Sequence, residues 1–318
     1  MESGNCLQRL PPDCPEATLR LTVAAFKDPK CLATYEFTHK PVAKSTEDGA
    51  CDSDEASQPP LRFTQSDLVH EGTSKVYKGT LVDGGDTPLR VVCKLIQESP
   101  KSNPAWLDHE AAVYENKLAD LQGICVPRFY GLFTGTIADK PASCIILEDC
   151  GVALQGYFSA YPQEVSIKSF QLLMAVHKRG VEHRDFWPRN IVVDNVEQPT
   201  RYNLIDFEGS YPRHQCLVEG PELEIFNFPR VQCPELSRIG LELQLFVPWS
   251  VRFFGSGVNI LSFRGAEGLA RAGRRPATLT DEQILQEARR VLGEYGDKYR
   301  RYRDYVAGKK TMMIKPLA

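Results

Sequence analysis

The sequence predicts an α+β protein of two lobes, a β-rich N-terminal lobe with one main helix and a mainly helical C-terminal lobe. Three observations lead there. Between Leu61 and Gly151 the pattern runs strand, strand, strand, helix, strand, strand. After Gly151 the apolar residues fall mostly at helical spacing. A length of 318 residues lies between one large domain and two ordinary ones, which favours a bilobal or two-domain chain.

Residues 1–43 form an N-terminal extension with one strand-like stretch, Thr18 to Phe26, behind Pro11, Pro12 and Pro15. Whether it completes the first lobe is left open by its pattern. Residues 44–60, KSTEDGACDSDEASQPP, are acidic and nearly devoid of apolar side chains, so they cannot offset their ordering entropy and read as a flexible linker or loop. The first lobe spans 61–150. Lys75 to Leu81 is strand-like, and Leu89, Val91, Cys93 and Leu95 alternate with Arg90, Val92, Lys94 and Ile96, which places Lys94 opposite Cys93. Asn103 and Pro104 open a helix whose apolar stripe is Leu107, Ala111, Tyr114, Leu118 and Leu121, with Gly123 as its stop. Strands around Arg128 to Phe133 and Ser143 to Glu148 follow.

The second lobe spans 151–318. It opens with a mostly buried helix over 164–179 and continues through two short β-branched runs, Asn190 to Val193 and Tyr202 to Ile205. Thr280 and Gln283 form a capping-box pattern ahead of one long helix or two short ones.

Composition narrows the function classes. With 38 basic against 41 acidic side chains and 42% hydrophobic residues, the chain is neither a globally basic nucleic-acid binder nor wholly disordered. No apolar run approaches the roughly 20 residues of a membrane span, and the opening lacks a secretory apolar block. An intracellular, cytoplasmic or nuclear protein is expected, with no membrane or nucleic-acid partner. Cys93 and Cys144 sit inside apolar runs and no C-x-x-C pair occurs, so reduced thiols are expected.

The informative residues come in a fixed order: Lys94 on a strand, Glu110 on the next helix, Asp185 and Asn190 within H-R-D-F-W-P-R-N, and Asp206 in I-D-F-E. In these motifs the chain resembles the protein-kinase-like superfamily, as a small, atypical, fungal-type member sharing features with choline-kinase-like and aminoglycoside-phosphotransferase-like enzymes. The resemblance covers roughly residues 61 to 250 and implies a bilobal protein-kinase-like fold. It implies ATP- and Mg²⁺-dependent transfer of a phosphoryl group, with a protein Ser/Thr or Tyr hydroxyl as leading acceptor. A small-molecule hydroxyl is the runner-up, and a non-catalytic pseudokinase scaffold the reading from another class.

The resemblance also assigns roles. Asn190 and Asp206 hold Mg²⁺ through hard oxygen ligands, Asp185 is the base for the accepting hydroxyl, and Lys94 pairs with phosphates while braced by a helix acid. On a helical wheel Glu110 lies about 45° from the centre of the apolar stripe and Glu115 about 95°, which favours Glu110 as the brace. Arg189 would supply positive charge beside the acceptor, with an Arg holding loop backbone as the alternative. Glu148 and Cys150 would sit in the hinge that meets the adenine edge. Gly72, Thr73, Ser74 and Val76 stand at the phosphate-covering loop, where one glycine replaces the family's three. Glu208 replaces the glycine of D-F-G, and Cys233-Pro234-Glu235 is a candidate anchor for an activation segment.

Two further clusters fall outside that pattern. His214, Cys216 and Cys233 offer three soft metal donors, but no fourth ligand is evident and packing cysteines beside a histidine is the favoured reading. Lys298, Arg300, Arg301 and Arg303 interleave with Tyr299, Tyr302 and Tyr305, and read as a helix with tyrosines inward and charges in water.

Overall fold

The computed structural model describes residues 17–24, 32–42, 61–82, 87–216, 223–224, 233–246, 250–299 and 313–314. The acidic stretch 44–60 and Arg300, Arg301, Tyr302, Arg303 and Tyr305 lie outside them. The chain forms two compact units.

Period-two alternation builds the first unit. Its strands are β1 (Thr18–Ala24), β2 (Leu32–His39), β3 (Leu61–Glu71), β4 (Lys75–Val82), β5 (Leu89–Gln97), β6 (Phe129–Ile137) and β7 (Lys140–Glu148). They close into a barrel in the order β1-β2-β6-β7-β5-β4-β3, with β1 antiparallel to β2 and parallel to β3. Alternate residues point inward: Leu19, Leu21 and Val23 of β1 and Val91, Cys93 and Leu95 of β5 fill the interior with Phe37, Phe63, Tyr77 and Phe133. Each such side chain contributes about 1.5–3 kcal/mol of burial. Gly79 belongs to this packing, because a Cβ there would stand 2.3 Å from the carbonyl oxygen of Thr64.

This barrel corrects the expected fold class. The resemblance implies an open, twisted N-lobe sheet within a bilobal kinase-like architecture; the sheet is a closed seven-stranded barrel accompanied by a small helical region. The physical reason lies in β1 and β2. They join the sheet ahead of β3, and the parallel pairing of Leu19 with Leu61 through Thr22 with Thr64 leaves no free edge.

Outside the barrel, α1 (Trp106–Ala112) lies against β6 and β7. It is shorter than the stripe predicts. Asn103 caps only a preceding turn, its side chain accepting from the Ala105 amide at 2.9 Å, and after Ala112 the helix widens over Val113–Lys117 and then tightens over Ala119–Leu121. A small sheet follows, from β8 (Val152–Ala153), β9 (Ile191–Val193) and β10 (Tyr202–Leu204) in the order β10-β9-β8. Gly151 precedes it at φ +119°, where a Cβ would strike the Val193 carbonyl oxygen at 2.1 Å.

Helix α2 (Gln163–Lys178) buries Val165, Phe170, Leu173 and Val176, as its apolar spacing predicts. The second unit contains α3 (Pro234–Glu242), the paired β11 (Leu223–Glu224) and β14 (Met313–Ile314), the hairpin β12 (Ser250–Phe253) and β13 (Ser256–Asn259), α4 (Gly265–Ala272) and α5 (Asp281–Lys298). Its core joins Val251, Phe253 and Val258 to Leu269, Ile284, Ala288 and Val291. The α5 capping box is formed, Thr280 Oγ1 accepting from the Gln283 amide while Gln283 Oε1 accepts from the Thr280 amide, and the helix runs unbroken. Tyr299 is buried. Among the described residues no helix is long and apolar enough to cross a membrane.

Candidate functional site

Lys94 is the centre of the charged residues singled out by sequence. Because Cys93 and Leu95 face the barrel interior, Lys94 projects from its outer surface, next to Val76 in the neighbouring strand register. Its Nζ donates to Glu110 Oε2 at 2.7 Å and Asp206 Oδ1 at 2.8 Å and lies 3.1 Å from Glu208 Oε2. Glu110 is 1% exposed, and its other oxygen accepts the Phe207 amide at 3.3 Å. Burial alone would push the Lys94 ammonium toward deprotonation; the three carboxylates reverse that and raise its pKa. Burial likewise opposes ionisation of Asp206, yet Lys94 holds its pKa below the ordinary carboxylate value. Asp206 takes φ +71°, in the left-handed region that Asp tolerates better than most side chains.

The H-R-D loop is held from behind. His183, fully buried, has Nε2 3.0 Å from the Ile205 carbonyl oxygen and an edge-on contact with Phe207. Arg184, at φ +69°, lies over Tyr211 and donates to Glu182 at 3.2 Å. Both carboxylate oxygens of Asp185 accept from Arg189 Nη2 at 2.8 Å. The Asn190 amide nitrogen donates to the Asp185 carbonyl at 2.7 Å and to its carboxylate at 3.0 Å.

The other selected residues serve different contacts. Glu148 is gripped by Arg201, at 2.8 and 3.1 Å, and accepts the Arg128 amide at 3.3 Å. Cys150 is buried, its thiol pushed up to about 12 by desolvation. Gly72, Thr73, Ser74 and Val76 form the β3–β4 turn and the start of β4, closed by the Gly72 amide donating to the Ser74 carbonyl at 3.0 Å. Lys75, within that turn, pairs back to Glu71 at 2.9 Å.

A pair of histidines includes one of the three soft donors that the sequence offered. His177, in the last turn of α2, and His214 meet edge to face with ring centroids 4.7 Å apart, and the His214 amide donates to the Gly180 carbonyl at 2.9 Å. Cys216 follows two residues later, and Cys233 caps the N-terminus of α3 ahead of Pro234. His177 and Cys233 are 1% exposed, whereas His214 and Cys216 are partly open.

His177 is the soft donor that sequence reasoning missed. It sits within an apolar helix and reads as packing; the signal that could have marked it is its place in the last turn, three residues before the Gly180 stop, where a helix end turns the chain back. Arg201, the partner of Glu148, was missed for a similar reason, since nothing local pairs residues so far apart.

No family model matches the chain. No curated protein matches it either. The architecture corrects the kinase-type reading, its ATP and Mg²⁺ included. The sheet that should form one wall of an open nucleotide cleft is a closed barrel. Lys94, expected on phosphate oxygens, is engaged by three carboxylates; Asp185, expected as a base, is held on both oxygens by Arg189, and Asn190 donates to Asp185. Soft metal donors are offered by His177, His214, Cys216 and Cys233. The small-molecule-kinase and pseudokinase variants rest on the same architecture and fall with it.

Proposed function

We propose that this protein binds zinc through His177, His214, Cys216 and Cys233, in a structural site. The observation that carries the reading is the His177–His214 pair, ring centroids 4.7 Å apart, with Cys216 two residues beyond His214 and Cys233 as a further soft donor. Two imidazoles and two thiolates are a set that Zn²⁺ takes in tetrahedral geometry, with bonds of about 2.0–2.3 Å that put neighbouring ligand atoms roughly 3.3–3.8 Å apart.

Charge favours the same ion. Two thiolates balance the two positive charges of Zn²⁺, and neutral imidazoles add none, so the occupied cluster carries no net charge into its largely buried surroundings. Mg²⁺ and Ca²⁺ prefer oxygen ligands and do not suit nitrogen and sulfur. Cys233 stands at the N-terminus of a nine-residue helix, an end that favours an anionic ligand. Four protein ligands fill the coordination sphere, so the metal contributes folding free energy and leaves no position for a substrate.

The test is metal content. Reduced protein reconstituted with Zn²⁺ and desalted should hold about one zinc per chain, and Co²⁺ in its place should show the visible bands and thiolate charge transfer of a tetrahedral site. Cys233→Ser and His177→Ala should each lose tight binding. A reconstituted chain with far less than one zinc, or variants that keep it as tightly, would overturn the reading.

A further inference from the structure

The second unit carries a charge that the chain as a whole does not. The full sequence has a formal net charge of -3, yet residues 252–275 hold Arg252, Arg264, Arg271, Arg274 and Arg275 against a single acid, Glu267. Charge asymmetry of this kind speaks of partners and not of fold.

Packing sorts these arginines. In α4, Leu269 enters the core beside Val251, Phe253 and Ile284, and Arg271 lies about 200° from it around the helix, on the solvent side. Arg264 stands immediately before α4 and Arg274 two residues after it, and all three are exposed. Arg275 is spent on Asp281, as Arg290 is on Glu287 and Glu294. Among the described residues Arg264, Arg271 and Arg274 have no such partner. Three unpaired guanidinium groups thus follow one helix of eight residues, about 12 Å long.

Ahead of that helix stands Leu261, at 76% exposed the most open of the described large apolar side chains. The fold holds it there. Residues Ile260–Ser262 make one tight turn, in which Asn259 Oδ1 accepts the Leu261 amide at 2.8 Å and Ser262 Oγ donates to the Asn259 carbonyl at 2.6 Å. Phe263, two residues on, packs back against the core.

We propose that the surface from Leu261 to Arg274 docks on an anionic lipid bilayer, with Leu261 entering the boundary between headgroups and acyl chains and Arg264, Arg271 and Arg274 binding lipid phosphates. The bilayer boundary rewards both halves of the pattern, apolar area in the leucine and positive charge in the arginines. Guanidinium suits the role, since its planar fork meets phosphate oxygens in pairs. A nucleic acid would satisfy the arginines alone: Phe254 and Phe263 pack against the core and form no stacking platform for bases. The sequence expectation of no membrane partner drew on the lack of a spanning apolar run, and a contact lying on the surface needs none. None of the four proposed zinc ligands takes part, so this proposal and the zinc reading can fail separately.

The test uses the full chain and sucrose-loaded vesicles, of phosphatidylcholine alone or of phosphatidylcholine and phosphatidylserine in a two-to-one mixture, with bound protein read after sedimentation. Binding to the mixed vesicles and not to phosphatidylcholine, weakening as salt is raised, is the expected result. Changing any one of the three arginines to Gln should lower the partition coefficient about fivefold, and Leu261→Ala about tenfold. Arg264→Glu, Arg271→Glu and Arg274→Glu together should abolish binding. A charge-matched control, Arg20→Glu, Arg62→Glu and Arg90→Glu on the barrel, should keep it. Every substituted side chain is exposed, and circular dichroism checks that each variant folds. Equal binding to both vesicle types, binding to neither, or equal loss in the two triple variants would overturn the proposal. So would a mixed-sequence single-stranded RNA held through the same arginines while the vesicles stay free.

Discussion

The two polar clusters of this molecule solve opposite problems. Around Lys94, unlike charges neutralise one another: the ammonium meets Glu110, Asp206 and Glu208 at 2.7, 2.8 and 3.1 Å. His177 and His214, ring centroids 4.7 Å apart, instead bring like groups together, and Cys216 and Cys233 offer soft donors of the same kind. The first cluster is satisfied by its own members and organises the residues around it. The second is the set we propose for zinc. Functional motifs in sequence mark residue types, but only their mutual partners decide whether those residues are spent on each other or offered to a ligand.

If that contrast is right, removing a cation from outside should hurt the His/Cys cluster most. A metal at about a thousand times its Kd contributes about 4 kcal/mol, and each kcal/mol is worth about 2–4 °C in a domain of this size, so chelation should lower the Tm by roughly 8–16 °C. Differential scanning calorimetry of zinc-loaded and chelator-treated protein checks it; equal transitions would erase the distinction between the clusters.

In the Lys94 cluster the loss must come from within. Glu110→Ala leaves a buried ammonium with its two remaining carboxylates, and should cost about 3 kcal/mol in urea unfolding, the low end for a broken buried pair. Lys94→Met combined with Glu110→Leu should cost less than the sum of the single changes, because the double variant leaves neither charge stranded. A Glu110→Ala loss below about 1 kcal/mol would mean that Asp206 and Glu208 alone satisfy Lys94.

Acid sharpens the same point. Lys94 holds the Asp206 pKa below its ordinary value. A carboxylate depressed in the folded state stabilises the fold above its unfolded pKa, and that contribution is lost as pH falls through the lower folded value. Stability should therefore decline below about pH 4, and Asp206→Asn should flatten that part of the profile in urea titrations at stepped pH.

Sequence carried the local features of the fold and the residue types of both clusters, but not their closure. The β5 alternation separates Cys93 from Lys94, the helical wheel selects Glu110 over Glu115, and the Thr280–Gln283 box starts α5, all because each rests on neighbours a few residues apart. Barrel closure depends on β1 meeting β3 across the acidic 44–60 stretch, and no periodicity encodes that register. His177 was hidden in the same way. A histidine on an apolar helix carries no mark of His214, which meets it from 37 residues further along the chain.

The smallest effect concerns Asp149, where one buried carboxylate has two cationic partners of unequal exposure. Lys78 Nζ donates to it at 2.7 Å and also to the Gly151 carbonyl, with its side chain 23% exposed; Arg90 donates at 2.8 Å with its side chain 80% exposed. Distances alone would rank the two pairs as equals. Solvent breaks the tie, since a guanidinium in water gains little from a contact that hydration nearly matches, whereas the lysine is held by two acceptors in a partly desolvated place. Arg90→Ala should change stability by less than about 0.5 kcal/mol. Lys78→Ala should cost about 1–2 kcal/mol, because it strips a charged hydrogen bond from a buried carboxylate. The Asp149 pKa, held low against its burial, should rise clearly in the lysine variant and barely in the arginine one when followed by NMR. Equal shifts would mean that proximity, and not desolvation, governs charge pairing on this barrel, and the contrast between self-satisfied and ligand-seeking clusters would lose its electrostatic basis.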